Sequence, residues 1–399
     1  MGDILFEFTI PTESLSVFAR RLAALTKIDK TSVLTFFVEK DGGVRVLFRS
    51  HIDTLGTEAA FEYFLPQADV KIQGVVSVFS HEISDIISRF PSFTKTNKPH
   101  SKELVFQATV SSLKIKTTMF WNETSKPTKQ EITVNTLRSS DNITSPFVNL
   151  ELKKNLVTTK TDDFKEAIDM SCFIKGDITS KNEYGYFIFG EDGKIVIIST
   201  DLIMASRYVL LGEGDIESLN GVLSRDVLNM VRSFIDMSET VSFTMYNNLL
   251  YVETLNRKML APLMKTQYII QSDLFFQPAL SLGKVGVNSL NYVLSHFVTV
   301  SKDPYHKTTF DFNKEGNKFR VFSGEQKENN VDSLPATVAA NNSFDVDASY
   351  FNAILRRLQK LGEECNISVD TETGERIKLE SENDEVIYLI QGINHSNAA

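Results

Sequence analysis

His81-Glu82-Ile83-Ser84-Asp85 begins as a zinc-protease helix does, but Asp85 stands where the second histidine ligand must be. Gly212-Glu213-Gly214 follows a strand-like run, yet it lacks the third glycine and the lysine of a phosphate-binding loop, so a turn is expected there. The six histidines (51, 81, 100, 296, 306 and 395) show no ligand spacing, and neither Cys172 nor Cys365 lies near a histidine in sequence. Acidic residues are plentiful but scattered over helix starts and turns. The expectation is a protein without catalytic residues, metal or cofactor.

The elements that would position any site are those of a large soluble chain. With 399 residues, two to four domains are expected. Hydrophobic content of 42% and charged content of 23% fit globular cores, and 29 Phe supply bulky packing for several of them. Two cysteines are too few for a disulfide framework and point to a reducing compartment. The first residues are acidic where a secretion signal needs bases, and the apolar runs are only strand-length, so a cytosolic protein away from membranes is expected. A net charge of −9 excludes a generally basic nucleic-acid binder, but not one that gathers its bases on one surface.

One pattern recurs six times: an alternating strand, a capping residue, an amphipathic helix of about three turns, then strands joined by Gly or Asn turns. The caps fall at Thr12, Ser80, Asp162, Ser224, Asn288 and Asp347, spaced 68, 82, 62, 64 and 59 residues apart. The first helix carries Leu15, Phe18, Leu22 and Leu25 at helical spacing, and the last carries Phe351, Ile354, Leu355 and Leu358. One unit is too small to bury both its faces, so the units should pair. Polar stretches at Arg138–Pro146 and Gln277–Gly283 suggest three α+β domains, 1–140, 146–277 and 281–393, with a tail at 394–399.

Three paired-unit domains in this length resemble the bacterial sliding clamp, the DNA polymerase III beta subunit. In local sequence the resemblance is carried by Asp163-Phe164-Lys165-Glu166-Ala167-Ile168 with Tyr184 to Phe189, by Ile198-Ser199-Thr200-Asp201, and by the closing strand Val386 to Ile393. The chain departs from the family at Leu202-Ile203-Met204-Ala205 and at Gln391-Gly392-Ile393, a divergence that suits a phage-encoded clamp. The resemblance implies a clamp fold with helices lining a hole and sheets outside, closed as a head-to-tail homodimer around duplex DNA without regard to sequence. It implies a processivity factor that tethers DNA polymerase and clamp loader through a short apolar linear motif. Two alternatives stay open: a clamp-fold adaptor without a closed ring, acting in transcription or repair, and an unrelated α+β enzyme.

Helices facing DNA should be the more basic part of the chain, and the six predicted helices sum to +1 against −10 for the remainder. The best DNA-contact candidates are Arg20, Arg21 and Lys27 in the first helix, Arg232 in the fourth, and Arg356, Arg357 and Lys360 in the sixth. The resemblance adds Lys30 and Lys181. It places the partner pocket at Thr200, Leu202, Ile203, Ala205, Leu389, Ile390, Gln391 and Ile393, with Phe276 and Pro278 as a wall. Met119, Phe120 and Trp121 on one side, and Ser289 and Leu290 on the other, are the ring-interface candidates.

Overall fold

The computed structural model describes residues 3–28, 31–41, 43–51, 58–65, 67–89, 100–121, 126–137, 144–147, 155–171, 186–200, 204–235, 238–246, 248–264, 272–300, 306–323, 331–371, 376–382 and 386–392. The first repeat is β1 (Ile4–Pro11), α1 (Thr12–Ile28), β2 (Val33–Glu39), β3 (Gly43–His51) and β4 (Glu58–Leu65), trailed by β5 (Asp69–Ile72). The second is β6 (Gly74–Phe79), α2 (Ser80–Arg89), β7 (His100–Thr109), β8 (Ser112–Phe120) and β9 (Thr128–Asn135). The third is β10 (Val157–Lys160), α3 (Thr161–Ser171), β11 (Tyr186–Glu191), β12 (Lys194–Thr200) and β13 (Met204–Leu210), trailed by β14 (Glu213–Gly214). The fourth is β15 (Asn220–Leu223), α4 (Arg225–Phe234), β16 (Thr240–Tyr246), β17 (Leu249–Thr254) and β18 (Arg257–Pro262). The fifth is β19 (Ala279–Gly286), α5 (Val287–Val300), β20 (Lys307–Asn313), β21 (Lys318–Ser323) and β22 (Val331–Leu334), trailed by β23 (Ala336–Val338). The sixth is β24 (Asn342–Asp347), α6 (Ala348–Leu358), β25 (Glu364–Asp370), β26 (Arg376–Ser381) and β27 (Val386–Gln391). Every repeat is β-α-β-β-β, and a short extra strand follows each odd one.

Sister repeats exchange their first strands. β1 joins β7-β8-β9 while β6 joins β2-β3-β4; β10 joins β16-β17-β18 while β15 joins β11-β12-β13; β19 joins β25-β26-β27 while β24 joins β20-β21-β22. The last strands then join larger sheets, β4 to β18 and β13 to β27, both antiparallel. The ladders organise two compact units. One comprises Met1–Thr161, Glu213–Ser218 and Asp226–Leu263; the other comprises Asp162–Gly212, Leu219–Arg225 and Met264–Ala399.

The first unit holds the five-stranded sheet β5-β1-β7-β8-β9 and the nine-stranded sheet β14-β10-β16-β17-β18-β4-β3-β2-β6. Alternation in β1 sends Phe6 and Phe8 inward, where they meet Phe36 and Phe106 with ring centroids 4.8–6.2 Å apart. Such ring pairs each add roughly 0.5–1.5 kcal/mol beyond their buried area. The second unit holds the nine-stranded sheet β15-β11-β12-β13-β27-β26-β25-β19-β23 and the four-stranded sheet β22-β21-β20-β24. Its core sets Phe310 against Phe319, Phe344 and Phe351. There α5 packs on α6 through the buried stripes Leu290, Leu294, Phe297 and Phe351, Leu355, Leu358.

Local chemistry fixes the ends of these elements. Asp347 caps α6, its carboxylate accepting from the Ser349 amide at 2.8 Å. α3 and α5 begin one residue ahead of the expected caps Asp162 and Asn288. The β11–β12 hairpin turns on Asp192 and Gly193, both at positive φ, the conformation that a two-residue turn between twisted strands requires.

Two expectations need correction. Gly212-Glu213-Gly214 is not a simple turn, because Glu213 and Gly214 pair with Thr158 and Val157 as β14. The polar stretch 277–283 is mostly strand, since β19 starts at Ala279 and pairs along β25. Gly283 sits there at a register shift, where a Cβ would lie 2.3 Å from the Thr337 carbonyl oxygen. It is glycine so that β23 can close in, not to loosen a linker.

Candidate functional site

Three surfaces carry the residues singled out by the sequence. The first is the solvent face of the helices. The side chains of Arg20, Arg21 and Lys27 on α1, and the whole of Lys30 and Lys181, lie outside the described residues. Arg232 on α4, Arg356 in the last turn of α6, and Lys360 just beyond it are exposed. Arg357 behaves differently from its neighbour. Its Nε donates to the Asp169 carbonyl at 3.1 Å and its Nη1 to the Ala353 carbonyl at 2.8 Å. The Tyr388 hydroxyl donates to the Met170 carbonyl at 3.3 Å and the Ser199 hydroxyl to the Ser171 carbonyl at 3.0 Å. A helix end leaves such carbonyls without intrahelical partners, and α3 has no basic residue in its own last turn. Three side chains from elsewhere in the unit therefore finish the helix. Burial also pushes the Tyr388 phenol above its ordinary range.

The second surface is the outer face of the nine-stranded sheet in the second unit. Alternation sends Ile198, Ala205, Ile387 and Leu389 to one apolar cluster with Val196, under Phe275 from the 3-10 turn Ser272–Phe276. Half-buried Phe187 and Phe189 stack at its margin, with centroids 4.6 Å apart. Of the pocket residues expected from sequence, Ala205 and Leu389 are in this cluster. Half-buried Thr200 stands at the end of β12, its hydroxyl donating to the Met204 carbonyl at 2.9 Å. Phe276 is 56% exposed beside it, and Pro278 is exposed. Ile390 is on the opposite, helix-side face with Tyr388, because neighbouring strand residues point opposite ways, so it is not part of this cluster. Leu202, Ile203, Ile393 and the Gln391 side chain lie outside the described residues.

The sequence reading did not single out Arg207. It is only 8% exposed on β13, its guanidinium carbon 4.8 Å from the Phe276 ring centroid, and its Nη2 paired with Glu191. Phe187-Ile188-Phe189 on β11, two strands away in the same sheet, is apolar at consecutive positions, the available signal that this sheet carries apolar side chains on both faces.

The third surface is a pair of strand edges. Among the described residues β9 pairs only with β8, and β22 only with β21. Trp121 is 45% exposed and its indole nitrogen donates to Thr128 at 3.2 Å; Phe120 is half-buried under the Lys102 ammonium. Met119 and Leu290 are buried in their own cores, Leu290 as part of the inward stripe of α5, so neither side chain reaches this surface; Ser289 is exposed. Lys114 holds the Glu131 carboxyl below its ordinary range on β9.

Among the described residues no three His, Cys, Asp or Glu side chains gather as a metal site, and no helix is long and apolar enough to cross a membrane. No family model matches the sequence, and no curated protein does. Solved structures match almost end to end. The DNA polymerase sliding clamp of Bacillus subtilis superposes with a TM-score of 0.77 at 13% identity, covering 98% of this chain and 99% of that one. DNA polymerase III subunit beta of Borrelia burgdorferi, in complex with a natural product, gives 0.73 at 16% identity over 98% and 100%. The sliding clamp of Pseudomonas aeruginosa bound to griselimycin gives 0.74 at 14% over 99% and 100%. The chain has the sliding-clamp fold.

Proposed function

We propose that this chain is a DNA sliding clamp, a replication processivity factor that encircles duplex DNA and tethers DNA polymerase and other partners. The observation that carries the reading is the sixfold β-α-β-β-β plan with exchanged first strands, matched over nearly the whole length of clamps whose sequences differ almost everywhere. We read the repeats, paired by that exchange, as three domains near the expected bounds 1–140, 146–277 and 281–393, the third beginning with β19 at Ala279. The ladders supply a rule for closing a ring. The last strand of repeat one pairs with that of repeat four, and the last of repeat three with that of repeat six. The last strands of repeats two and five, β9 and β22, are then the edges for a second copy. Two chains head to tail satisfy both pairs at once and leave neither edge open.

Such a ring holds DNA by topology, so contacts from Arg232, Arg356, Lys360 and the bases of α1 need only be weak, sequence-blind phosphate contacts. No covalent step is asked of any residue. The face of the second unit's large sheet that carries Ala205 and Leu389 receives an apolar linear motif of the polymerase or its loader, acting in the cytosol on cellular or phage DNA. Sedimentation tests the assembly. A species of twice the 45.0 kDa chain mass at micromolar concentration is expected. A monomer there favours the adaptor without a closed ring.

A further inference from the structure

Of the six helices described, α5 alone holds no Lys, Arg, Asp or Glu. Its Leu290, Val293, Leu294 and Phe297 are buried, while Asn288, Tyr292, His296 and Thr299, three or four residues apart, form an exposed and uncharged face. Tyr292 is 78% exposed, the most of any Phe, Tyr or Trp among the described residues. Two hydrogen bonds set this helix against α6. Ser295 Oγ donates to Asn352 Oδ1 at 3.1 Å, and Gln359 Nε2 donates to Asn288 Oδ1 at 2.9 Å. The two helices therefore run antiparallel, and Tyr292 falls between the bonds, level with Leu355 and Arg356. Arg356 and Lys360, one turn apart on this stretch, are both exposed. A flat, neutral ring is thus presented to solvent alongside two cations.

Charge complementarity names a polyanion as the ligand, and the ring narrows the choice. A duplex shows only the edges of its bases in the grooves, whereas an unpaired base offers a π-face for an aromatic side chain to cover. We propose that the α5–α6 face binds single-stranded DNA, with Tyr292 stacking on an unpaired base while Arg356 and Lys360 take flanking phosphates. This activity is additional to encircling a duplex. It needs no closed ring, because both helices belong to one compact unit. Tyr292 is neutral and releases no counterion, so its share of the affinity is independent of salt.

The test is fluorescence anisotropy of the full chain with a short labelled oligothymidylate at several salt concentrations. Tyr292→Ala is expected to weaken binding about fivefold or more at an unchanged log–log slope. Tyr292→Phe should bind as the unaltered protein does, because the ring rather than the hydroxyl makes the contact. Arg356→Ala should instead flatten the slope by about 0.7. A blunt duplex should bind Tyr292→Ala and the unaltered protein alike. In a Trp121→Phe background, which removes the one native tryptophan, Tyr292→Trp reports stacking directly through fluorescence quenched as the oligonucleotide is added. The inference is overturned if the unaltered protein does not bind the oligonucleotide, or if Tyr292→Ala binds it equally well. Equal loss in Tyr292→Phe, equal loss for the duplex, or an unquenched tryptophan overturns it too. Retention on circular DNA decides the clamp reading separately, so either can fail without the other.

Discussion

Arg356 and Arg357 are adjacent in the last turn of one helix, and alanine at each should produce opposite phenotypes. Arg357 makes two hydrogen bonds from a charged group to backbone carbonyls, one of them finishing the C-terminus of α3 at Asp169. Bonds of that kind contribute about 1.5–3 kcal/mol each, and water recovers part of the loss at a half-buried site. Arg357→Ala should therefore cost about 2–3 kcal/mol, with the damage centred on α3. Arg356 is exposed, and its replacement should stay within about 0.5 kcal/mol. Hydrogen exchange followed by mass spectrometry separates the two. A loss of about 2 kcal/mol speeds exchange from the α3 amides roughly 30-fold. Arg356→Ala should leave α3 unchanged and instead weaken DNA binding. Equal exchange from α3 in both variants, or none above the unaltered protein in Arg357→Ala, would refute the reasoning that Arg357 finishes that helix.

Three further outcomes follow from particular side chains. Arg232→Ala and Arg356→Ala should each flatten the salt dependence of DNA affinity by about one unit of log–log slope, measured by titration at several salt concentrations. Burial pushes the Cys365 thiol up to about 12, so in a Cys172→Ser background it should resist a thiol reagent at pH 8 until the protein unfolds. Its pKa is raised above the reference value of 9.0, so this stabilising contribution is complete below that pH and fades as pH climbs towards 12, which denaturant melts across the range would show. Gly283→Ala drives a Cβ into the Thr337 carbonyl and should cost more than about 2 kcal/mol, read as a lowered thermal midpoint with early loss of protection in β23.

The repeat was legible because each helix carries its apolar stripe at 3.6-residue spacing beside a polar cap, and both signals are local. The observed helices begin at residues 12, 80, 161, 225, 287 and 348, within one residue of the expected caps. The exchange of first strands was not legible. β1 pairs with β7 rather than with β2, its nearer neighbour in sequence, and nothing in the composition of β1 names its partner. β19 was obscured because Ser281 and Gly283 look like linker residues and become strand only when β25 pairs with them. Position by resemblance grouped Ala205 and Leu389 with Ile390 because it could not assign faces; the first two share one apolar cluster, while Ile390 faces the helices. Arg207 was overlooked because a lone arginine in a strand reads as a surface charge, and only the fold lays it on an apolar floor under Phe276.

Topological capture of DNA tests the central claim most directly. The protein is equilibrated with nicked circular plasmid at micromolar concentration and separated by gel filtration, before and after a restriction enzyme cuts the circle. A clamp closed by β9 and β22 co-elutes with the circle and is lost when the DNA is made linear. Equal retention on circular and linear DNA, or retention on neither, would contradict the account.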